Sequence, residues 1–441
     1  VVTAAPSFDA RMAGEATFGD YGTHGGSVSL TGPIVDEVLA GRLYVAARRR
    51  DGLYDVKTGA KKTGEGPRTS TDDQTENYDT VRGQLLWRAT PNLTARLTAD
   101  WTERDERCCV GVQLVTGATA PLLATFAPDG GVAATPKPWD RTAYSNRDTN
   151  TRIRDKGLAL HLSADLGWAR LESTSAVRDW RGVISQDWDF TSADLAYRPD
   201  DGSWSNRFRT LTQEFRLSGQ NGKLDWSAGA FFADEKLTRR DSLFYGADYE
   251  GYVSRLLSRS ASTPLGDPAF VSSITGLPVG QSFVEGEGQL DRYWQTARSA
   301  ALFGQVSYAV TDRLTLTAGM NYTKDKKTFT TDVNTTDVFS TLNLSQFVAG
   351  ATSAGISQKV GELIMAPGGF ATADQIAGFA AGNPELYQQI AAGAAAAAAP
   401  IGRLSQLQYL PPFLNVPNAV ESGKISDDDI SVTLRAAYEV S

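Results

Sequence analysis

The sequence predicts an all-β fold, namely part of a transmembrane antiparallel β-barrel with long loops at one end. Three observations predict it: alternating apolar and polar residues, connections that alternate between short and long, and charges within the polar rows. The stretch "RLTLTAGMNY" shows the alternation, because Leu314, Leu316 and Met320 fall on one face. Thr315 and Thr317 fall on the other face. Periodicity alone does not decide whether the apolar row meets a protein core or lipid.

About twelve segments alternate in this way, and many of them are roughly 9 to 14 residues long. That length exceeds the usual strand of a soluble protein and suits a strand that crosses a membrane. The predicted strands are 14–22, 25–35, 41–51, 80–90, 92–105, 156–166, 168–180, 209–219, 222–236, 299–310, 313–322 and 429–440.

The connections between these segments differ systematically in length. Every second connection is short, whereas the others, apart from the first at 23–24, run to roughly 25 to 100 residues, far beyond the usual loop of a soluble domain. The short connections are 36–40, 91–92, 167, 219–222 and 311–312. In an up-and-down meander, alternate connections share one end of the sheet, so this order predicts short periplasmic turns and long extracellular loops.

The polar rows contain charged side chains, which a water-filled or plugged barrel interior accommodates better than a sandwich core does. These residues are Arg96, Asp100, Glu214, Arg216, Asp225 and Arg435. Aromatic residues near the strand ends are typical of the girdles at membrane interfaces, although aromatic residues also favour strands in general. They include Trp87, Trp101, Trp168, Trp226, Phe232, Tyr308, Tyr322 and Tyr438.

Composition excludes two other classes of protein. The 441 residues are 41% hydrophobic and 21% charged, and no uncharged apolar run reaches the roughly 18 residues that a transmembrane helix needs. The formal net charge is −8, and the Lys and Arg residues are scattered, so we expect no nucleic-acid partner. The chain begins with Val1 and shows no signal peptide, which predicts a processed or truncated start.

Two hairpins, "LTQEFRLSGQNGKLDWSAGAFFADEK" at 211–236 and "ALFGQVSYAVTDRLTLTAGMNYTKDKK" at 301–327, resemble the barrel of TonB-dependent outer-membrane receptors. "VVTAAPSFD" at 1–9 is similar to the segment that joins the plug of that family to its barrel, and "YGTHGGSVSLTGPI" at 21–34 is similar to the first hairpin. The resemblance therefore assigns 1–13 to the end of the plug-to-barrel connection and 14–441 to the N-terminal part of the barrel.

The resemblance implies a barrel of about 22 strands, of which this chain would supply about 12, without the plug, the TonB box and the C-terminal strands. It implies a bacterial outer-membrane location and active import of a scarce ligand: a siderophore-iron complex, a cobalamin or a glycan. It also implies contact with outer-membrane lipid and energy coupling by the TonB-ExbB-ExbD complex through the plug. Binding and transport need neither a catalytic residue nor a cofactor.

Two alternatives remain at this stage. A passive outer-membrane diffusion porin would have the same strands and turns but no plug. A soluble β-rich surface adhesin would bury the apolar rows in a protein core instead. No phosphate-binding loop or GxSxG nucleophile motif occurs, which argues against an NTPase or a hydrolase.

The connections at the loop end are numbered from the short one at 23–24, which is the first loop, so the five long connections are the second to sixth loops. The fourth loop, 181–208, supplies the candidate ligand-binding residues. Its stretch "QDWDFTSADLAYRPDDGSW" is rich in aromatic residues, which could stack on a sugar or a catecholate. The candidates are Trp188, Phe190, Tyr197 and Trp204. The alternative is that these rings only pack the loop together.

Cys108 and Cys109 are adjacent in the third loop and form a candidate disulfide. A vicinal bond would close a strained ring, so we expect an oxidised loop staple, either local or with a cysteine elsewhere. No metal site is predicted, because the consecutive acids Asp427, Asp428 and Asp429 alternate between the faces of a strand. His24 and His161 stand alone and suggest no catalytic pair.

The sixth loop is expected to be partly helical over 372–400. Thr372 is placed to cap a first helix, and Asn383-Pro384 is placed to interrupt it. The alanine run that starts at Ala394 predicts a second helix ending at Pro400. Such a segment could serve as a lid over the ligand or could be an insertion without ligand contact.

Overall fold

In the computed structural model of the chain, residues 3–59, 68–127, 129–408 and 420–440 are described. They form sixteen strands. The strands are β1 (Arg11–Phe18), β2 (His24–Val35), β3 (Leu39–Arg50), β4 (Tyr54–Thr58), β5 (Arg68–Asp73), β6 (Glu76–Thr90), β7 (Leu93–Glu106), β8 (Thr142–Ser145), β9 (Asn150–Asp165), β10 (Arg170–Asp187), β11 (Ala196–Arg198), β12 (Ser205–Asn221), β13 (Leu224–Tyr245), β14 (Gly288–Ala309), β15 (Leu314–Asp332) and β16 (Val420–Tyr438).

Thirteen of these strands form one antiparallel sheet. Its long strands follow chain order from β1 to β16, each paired with its neighbours in sequence, and the short β11 joins at the loop end between β10 and β13. This is the meander that the sequence predicts, with the predicted number of long strands. The fold class is therefore confirmed as a mainly antiparallel β protein.

The short connections all lie at one end of this sheet. Two residues, Gly222 and Lys223, join β12 to β13, and Gly167 lies in the turn between β9 and β10. Both glycines have positive φ angles, 59° and 83°, a conformation that side chains with a Cβ rarely adopt. Tight two-residue turns need such a conformation because it matches the twist of the flanking strands.

The two faces of the sheet differ as predicted. Leu316 lies opposite Tyr308 and Ala436, whereas Thr317 lies opposite Ser307 and Arg435. Along β9 the apolar row is exposed and the polar row is half-buried. In a sheet that curls towards a barrel, side chains on the inner side crowd one another, so the polar row faces inward and the apolar row faces outward.

The predicted charged rows share the inner face. Across the sheet, Asp225 lies opposite Ser307, Ser307 opposite Thr317, and Thr317 opposite Arg435. A second inner row runs through Arg96, His161, Thr174 and Glu214. All six charged residues singled out in the sequence point to this side of the sheet.

Most strands of the structure are longer than predicted, and the extra residues lie at the end of the sheet that carries the long loops. The strand predicted at 222–236 is β13, which continues to Tyr245, and the strand predicted at 429–440 is β16, which begins at Val420. β14 and β15 also extend by about ten residues towards the loops. Beyond the apolar belt both faces of a strand are polar, so the alternation that marks a strand in the sequence disappears there.

The loops contain six α-helices and a small second sheet among the described residues. The helices are α1 (Ala120–Leu123), α2 (Tyr249–Ser258), α3 (Phe270–Thr275), α4 (Leu344–Leu363), α5 (Ala373–Gly382) and α6 (Pro384–Arg403). β5, β4 and β8 form the second sheet. None of these helices is long and apolar enough to cross a membrane.

The helical part of the sixth loop follows the prediction at its start but not at its end. Thr372 caps α5, with reciprocal bonds between Thr372 and Gln375. Asn383 lies between α5 and α6, and Pro384 is the first residue of α6. The predicted end at Pro400 is wrong, because α6 continues through Pro400 to Arg403. A proline removes one amide donor and crowds the preceding turn, which weakens a helix without always ending it. The sequence also did not predict α4.

Candidate ligand-binding surface

Five long loops follow β3, β7, β10, β13 and β15, all at the end of the sheet opposite the short turns. We call their described residues the loop cap: 51–59, 68–75, 107–127, 129–149, 188–204, 246–287 and 333–408. The loop cap has apolar clusters of its own, so its loops pack against one another and do not extend separately into solvent.

The largest cluster in the loop cap is built around aromatic rings. Phe283, which is 2% exposed, contacts Tyr245, Tyr249 and Phe339 at centroid distances of 5.0, 5.1 and 4.4 Å. These rings come from the end of β13, from the fifth loop and from the sixth loop. Burial raises the pKa of the Tyr249 hydroxyl to about 12. Aromatic clusters of this kind fix neighbouring loops through both buried area and ring geometry.

A second cluster joins the third and fourth loops to the first cluster. Leu123 and Ala127 of the third loop are buried against Ala193 and Leu195 of the fourth. Tyr249 packs against both clusters, so the two are continuous. The third to sixth loops therefore share one apolar interior above the sheet.

Asp194 is the main polar junction of the loop cap. Both of its carboxylate oxygens accept hydrogen bonds from Nη2 of Arg147, at 2.8 and 2.9 Å, and its Oδ1 also accepts one from Nε at 3.0 Å. The Asn146 amide and the Ala247 backbone N–H donate to the same carboxylate at 2.8 and 3.1 Å. A mostly buried, paired and hydrogen-bonded charge of this kind ties together three loops that are remote in sequence.

Two further carboxylates hold the fourth loop. Asp187 is fully buried and accepts backbone N–H bonds from Asn146 and Asp189 at 2.8 and 3.2 Å. Asp189 accepts backbone N–H bonds from Thr191, Leu195 and Ala196 at 3.0, 3.2 and 3.0 Å. Burial raises the pKa of the Asp189 carboxyl to about 6, although these hydrogen bonds oppose the rise.

Two of the four predicted ligand-binding aromatics lie together. The guanidinium carbon of Arg198 is 4.0 Å from the ring centroid of Trp188 and 4.2 Å from that of Trp204. Arg198 also pairs with Asp241 at 3.5 Å. Trp188 is 44% exposed, so one ring of this cation–π sandwich is open to solvent while the arginine between the rings is covered.

The other two predicted aromatics lie apart from that sandwich. The Tyr197 ring is covered by Arg147, whose guanidinium carbon is 3.4 Å from the ring centroid, and it contacts Phe244 at 6.1 Å. Phe190 lies beside Gly111 and accepts a hydrogen bond at its backbone carbonyl from Gln113 at 2.9 Å. The structure thus places all four rings in loop packing, and their role in ligand binding stays a prediction.

Cys108 and Cys109 are bonded to each other at the start of the third loop. Their backbone carbonyls accept hydrogen bonds from Thr151 at 3.4 Å and from Gln186 at 3.3 Å. The pair therefore lies against the loop ends of β9 and β10.

The inner wall below the loop cap carries its own charge network. Arg178 donates to both oxygens of Asp100 at 3.1 and 3.0 Å and pairs with Asp155 at 2.6 Å. His161, singled out in the sequence as isolated, contacts the Thr174 hydroxyl at 3.0 Å. A charged inner wall of this kind is typical of barrels whose interior holds water or a plug.

Within the described residues, no group of three or more His, Cys, Asp or Glu side chains is arranged to hold a metal ion. Asp427, Asp428 and Asp429 lie inside β16, opposite Asp325, Lys324 and Thr323 respectively. Their alternation between the two faces is the predicted one, although the strand begins earlier than predicted.

Sequence reasoning missed the residues that organise the loop cap, notably Arg147, Asp187, Asp194 and Arg198. One signal was available, because aspartates recur at short intervals through the fourth loop and such residues commonly bond to the backbone two positions ahead. Arg147 gave no comparable signal, since its partner Asp194 is 47 positions away.

No family model matches this sequence, and no curated protein matches it. Comparison with solved structures finds the ferric yersiniabactin uptake receptor FyuA from Yersinia pestis, with a TM-score of 0.55 at 12% identity. That match covers 100% of this chain and 46% of FyuA. The siderophore receptor PiuA from Acinetobacter baumannii matches 76% of this chain and 46% of its own, with a TM-score of 0.48 at 12% identity.

The match to FyuA confirms the resemblance at the level of the fold. The chain has the fold of a TonB-dependent outer-membrane receptor barrel and spans about half the length of that receptor. The solved neighbours are transport receptors, not enzymes.

Proposed function

We propose that the chain is part of an outer-membrane receptor that imports a scarce ligand, which is captured at the loop cap. The observation that supports this is the cap itself, in which the third to sixth loops share one apolar interior. The carboxylates of Asp187 and Asp194 also join the third, fourth and fifth loops. Such packing gives a largely preformed surface, and preformed surfaces bind ligands without the cost of ordering loops.

Three ligand classes remain in the proposal: a siderophore-iron complex, a cobalamin and a glycan. The iron complex is the first to test because FyuA, the neighbour matched over the whole chain, takes up ferric yersiniabactin. Trp188 is the best-placed contact, since it is exposed and held rigid by Arg198. Energy would come from the TonB-ExbB-ExbD complex acting through a plug, and no catalytic residue or cofactor is needed.

The alternative function is passive diffusion through a porin. A porin conducts in proportion to the concentration gradient, whereas an energised receptor saturates and needs the proton gradient. The two functions therefore differ in uptake kinetics, whichever ligand is carried.

The test uses the complete gene product in the outer membrane of a strain that lacks its own siderophore receptors. The probes are yersiniabactin and a catecholate siderophore loaded with radioactive iron, and labelled cobalamin. We expect saturable uptake of at least one probe, abolished by deletion of TonB or by an uncoupler. Uptake that rises linearly with concentration and survives the uncoupler would establish the porin instead. Induction of the gene by iron limitation would separate an iron complex from a glycan.

A further inference from the structure

The outer face of the sheet carries a cluster of cations just above the apolar belt. We call it the cationic patch: Lys156, Arg209, Lys236, Arg298, Lys324 and Lys326. Lys156 is on the same face of β9 as Leu158, which is the outer face of the sheet. The other five residues are on that same face of β12, β13, β14 and β15. All six side chains are exposed. The chain as a whole has a net charge of −8, so the cluster is not a consequence of composition.

The patch is local to one part of the outer face. On β6 and β7, the corresponding upper positions are acidic instead, with Asp79, Glu103 and Asp105 in the outward row. A partner that needed only polar side chains would bind equally well at the acidic positions of β6 and β7 and at the cationic patch. A partner that prefers the cationic patch is therefore expected to be an anion.

Like charges face each other within the patch. Arg209 lies directly opposite Lys236, and Arg298 lies directly opposite Lys326. Residues opposite each other on adjacent strands are close, and like charges there destabilise the sheet. A bound anion would remove that repulsion.

Internal carboxylates compensate the patch only in part. Asp179 pairs with Arg207 at 2.5 Å and with Arg209 at 3.6 Å, and Asp234 pairs with Arg298 at 2.7 Å. Among the described residues, no ion pair involves the ammonium groups of Lys156, Lys236, Lys324 or Lys326. Asp179 and Asp428 lie opposite Lys156 and Lys324 on the neighbouring strands, so these two cations are partly compensated. Lys236 and Lys326 face no carboxylate on the neighbouring strands, and the patch as a whole keeps an excess of positive charge.

The patch continues downward into an apolar groove of about 720 Å³. Lys156, Arg209 and Lys236 line its upper part together with the carboxylates Asp179 and Asp234, and apolar side chains on the same outer face bound it below. Those apolar residues are Leu158, Val177, Leu211 and Phe232. Cations above an apolar groove complement a molecule with an anionic head and hydrocarbon chains, and do not specifically suit a free inorganic anion.

We propose that the cationic patch and the groove below it bind a phosphorylated lipid of the outer leaflet, with phosphate at Lys156, Arg209 and Lys236 and an acyl chain against Leu158 and Leu211. Lipid A has this chemistry and is the probe for the test. The proposal needs only the membrane orientation of the sheet and does not depend on which ligand is imported.

The experiment measures lipid binding to the purified complete protein in nanodiscs. The probes are bisphosphorylated lipid A, lipid A with its phosphates removed, and inorganic phosphate as competitor. The test variant combines Lys156→Gln, Arg209→Gln and Lys236→Gln. The matched control combines Arg170→Gln, Lys223→Gln and Arg313→Gln, which remove the same charge from the exposed turn end of the sheet.

We expect the patch variant to bind bisphosphorylated lipid A about tenfold more weakly or worse, because each cation near an anionic membrane surface contributes appreciably to binding. The turn-end control should stay within about twofold of the wild type, since its charges lie outside the patch. Wild-type protein should prefer the phosphorylated lipid to the phosphate-free lipid by a similar factor, and that comparison needs no variant to fold.

Three results would overturn the proposal. Equal binding of both lipids by wild-type protein would mean that the groove holds only nonspecific annular lipid. Full displacement of lipid A by inorganic phosphate at millimolar concentration would indicate a free-anion site. An equal loss in the turn-end control would show that net charge, and not the patch, governs binding.

Discussion

The sheet and the loop cap use the same kinds of apolar side chain in opposite ways. On the sheet, Leu302 and Met320 are 61% and 57% exposed, whereas in the cap Phe283 and Phe339 are 2% and 0% exposed. The difference teaches that the surrounding solvent, not the residue type, decides where an apolar side chain lies. Lipid accepts the outer row of the sheet, and water drives the cap residues into a core of their own.

Charges differ between the two regions in the same sense. The charged residues of the inner wall remain accessible to water, as for Arg178, whose side chain is 46% exposed. In the loop cap, Asp187 is fully buried and depends on specific hydrogen bonds. The cap therefore behaves as a small globular domain placed on a membrane sheet, and the two regions should respond separately to mutation.

The largest expected effect is in the cap. Phe283→Ala removes the ring that Tyr245, Tyr249 and Phe339 share and should destabilise the loop cap by about 3 to 5 kcal/mol. Proteolysis and hydrogen exchange should show opening of 249–283 and 339–363, while the sheet keeps its resistance to heat and detergent. Phe370→Ala, at a ring that is 58% exposed, is the control and should have little effect. Equal loosening of the strands would mean that the two regions are one folding unit.

The next effect is in the membrane belt. Leu316→Arg should cost the complete barrel roughly 2 to 4 kcal/mol because it places a charge in lipid, and Thr317→Arg, which faces inward, should cost much less. Urea unfolding in lipid vesicles measures the difference, and the cap should show no separate loss in Leu316→Arg.

Spin labelling sharpens the same comparison. A label on a cysteine replacing Leu316 should be relaxed more by lipid-soluble oxygen than by an aqueous nickel chelate. A label at position 317 should show a weaker preference for oxygen. Low accessibility of position 316 to both reagents would place it in a protein core and contradict the assignment of the outer face.

A smaller effect concerns pH and the fourth loop. The pKa of Asp189 is raised from 3.8 to about 6, so the folded loop binds the proton more tightly than the open loop does. The stabilisation is complete at acid pH and is lost as pH rises from about 4 to about 6, an effect on the order of 3 kcal/mol. Hydrogen exchange at Thr191, Leu195 and Ala196, corrected for intrinsic rates, should show more opening at pH 7 than at pH 5.

Asp189→Asn is the control for that pH effect, since it keeps an acceptor oxygen but cannot titrate. Its fourth loop should lose part of the pH dependence, and what remains belongs to other groups such as the buried Asp187. An unchanged pH dependence in Asp189→Asn would show that Asp189 does not titrate in this range.

The smallest effect is expected at the N-terminus of α5, which has a capping box. Thr372→Ala removes the side-chain acceptor for the Gln375 amide and should destabilise α5 by about 1 kcal/mol. Exchange of the α5 amides should increase while the aromatic cluster around Phe283 is unaffected. Thr372→Ser, which retains the acceptor, should restore the protection.

The sequence by itself determined the membrane half of this protein. The order of the long strands, the existence of the short turns, and the inward position of Arg96, Asp225 and Arg435 all followed from alternation and spacing. The turn predicted at 219–222 lies at 222–223, because β12 continues to Asn221. The reason is local: strands that separate lipid from water must alternate residue by residue, and their neighbours in the sheet are their neighbours in the chain.

Only the tertiary structure decided the loop half. It set the upper ends of β13 to β16, the passage of α6 through Pro400, and the pairing of Trp188 and Trp204 on Arg198. Arg147 and Asp194 are 47 residues apart, and Phe283 meets Phe339 across the whole hairpin of β14 and β15. Contacts between distant segments in water leave no periodic trace in the sequence, because each depends on how several loops fold over the sheet together.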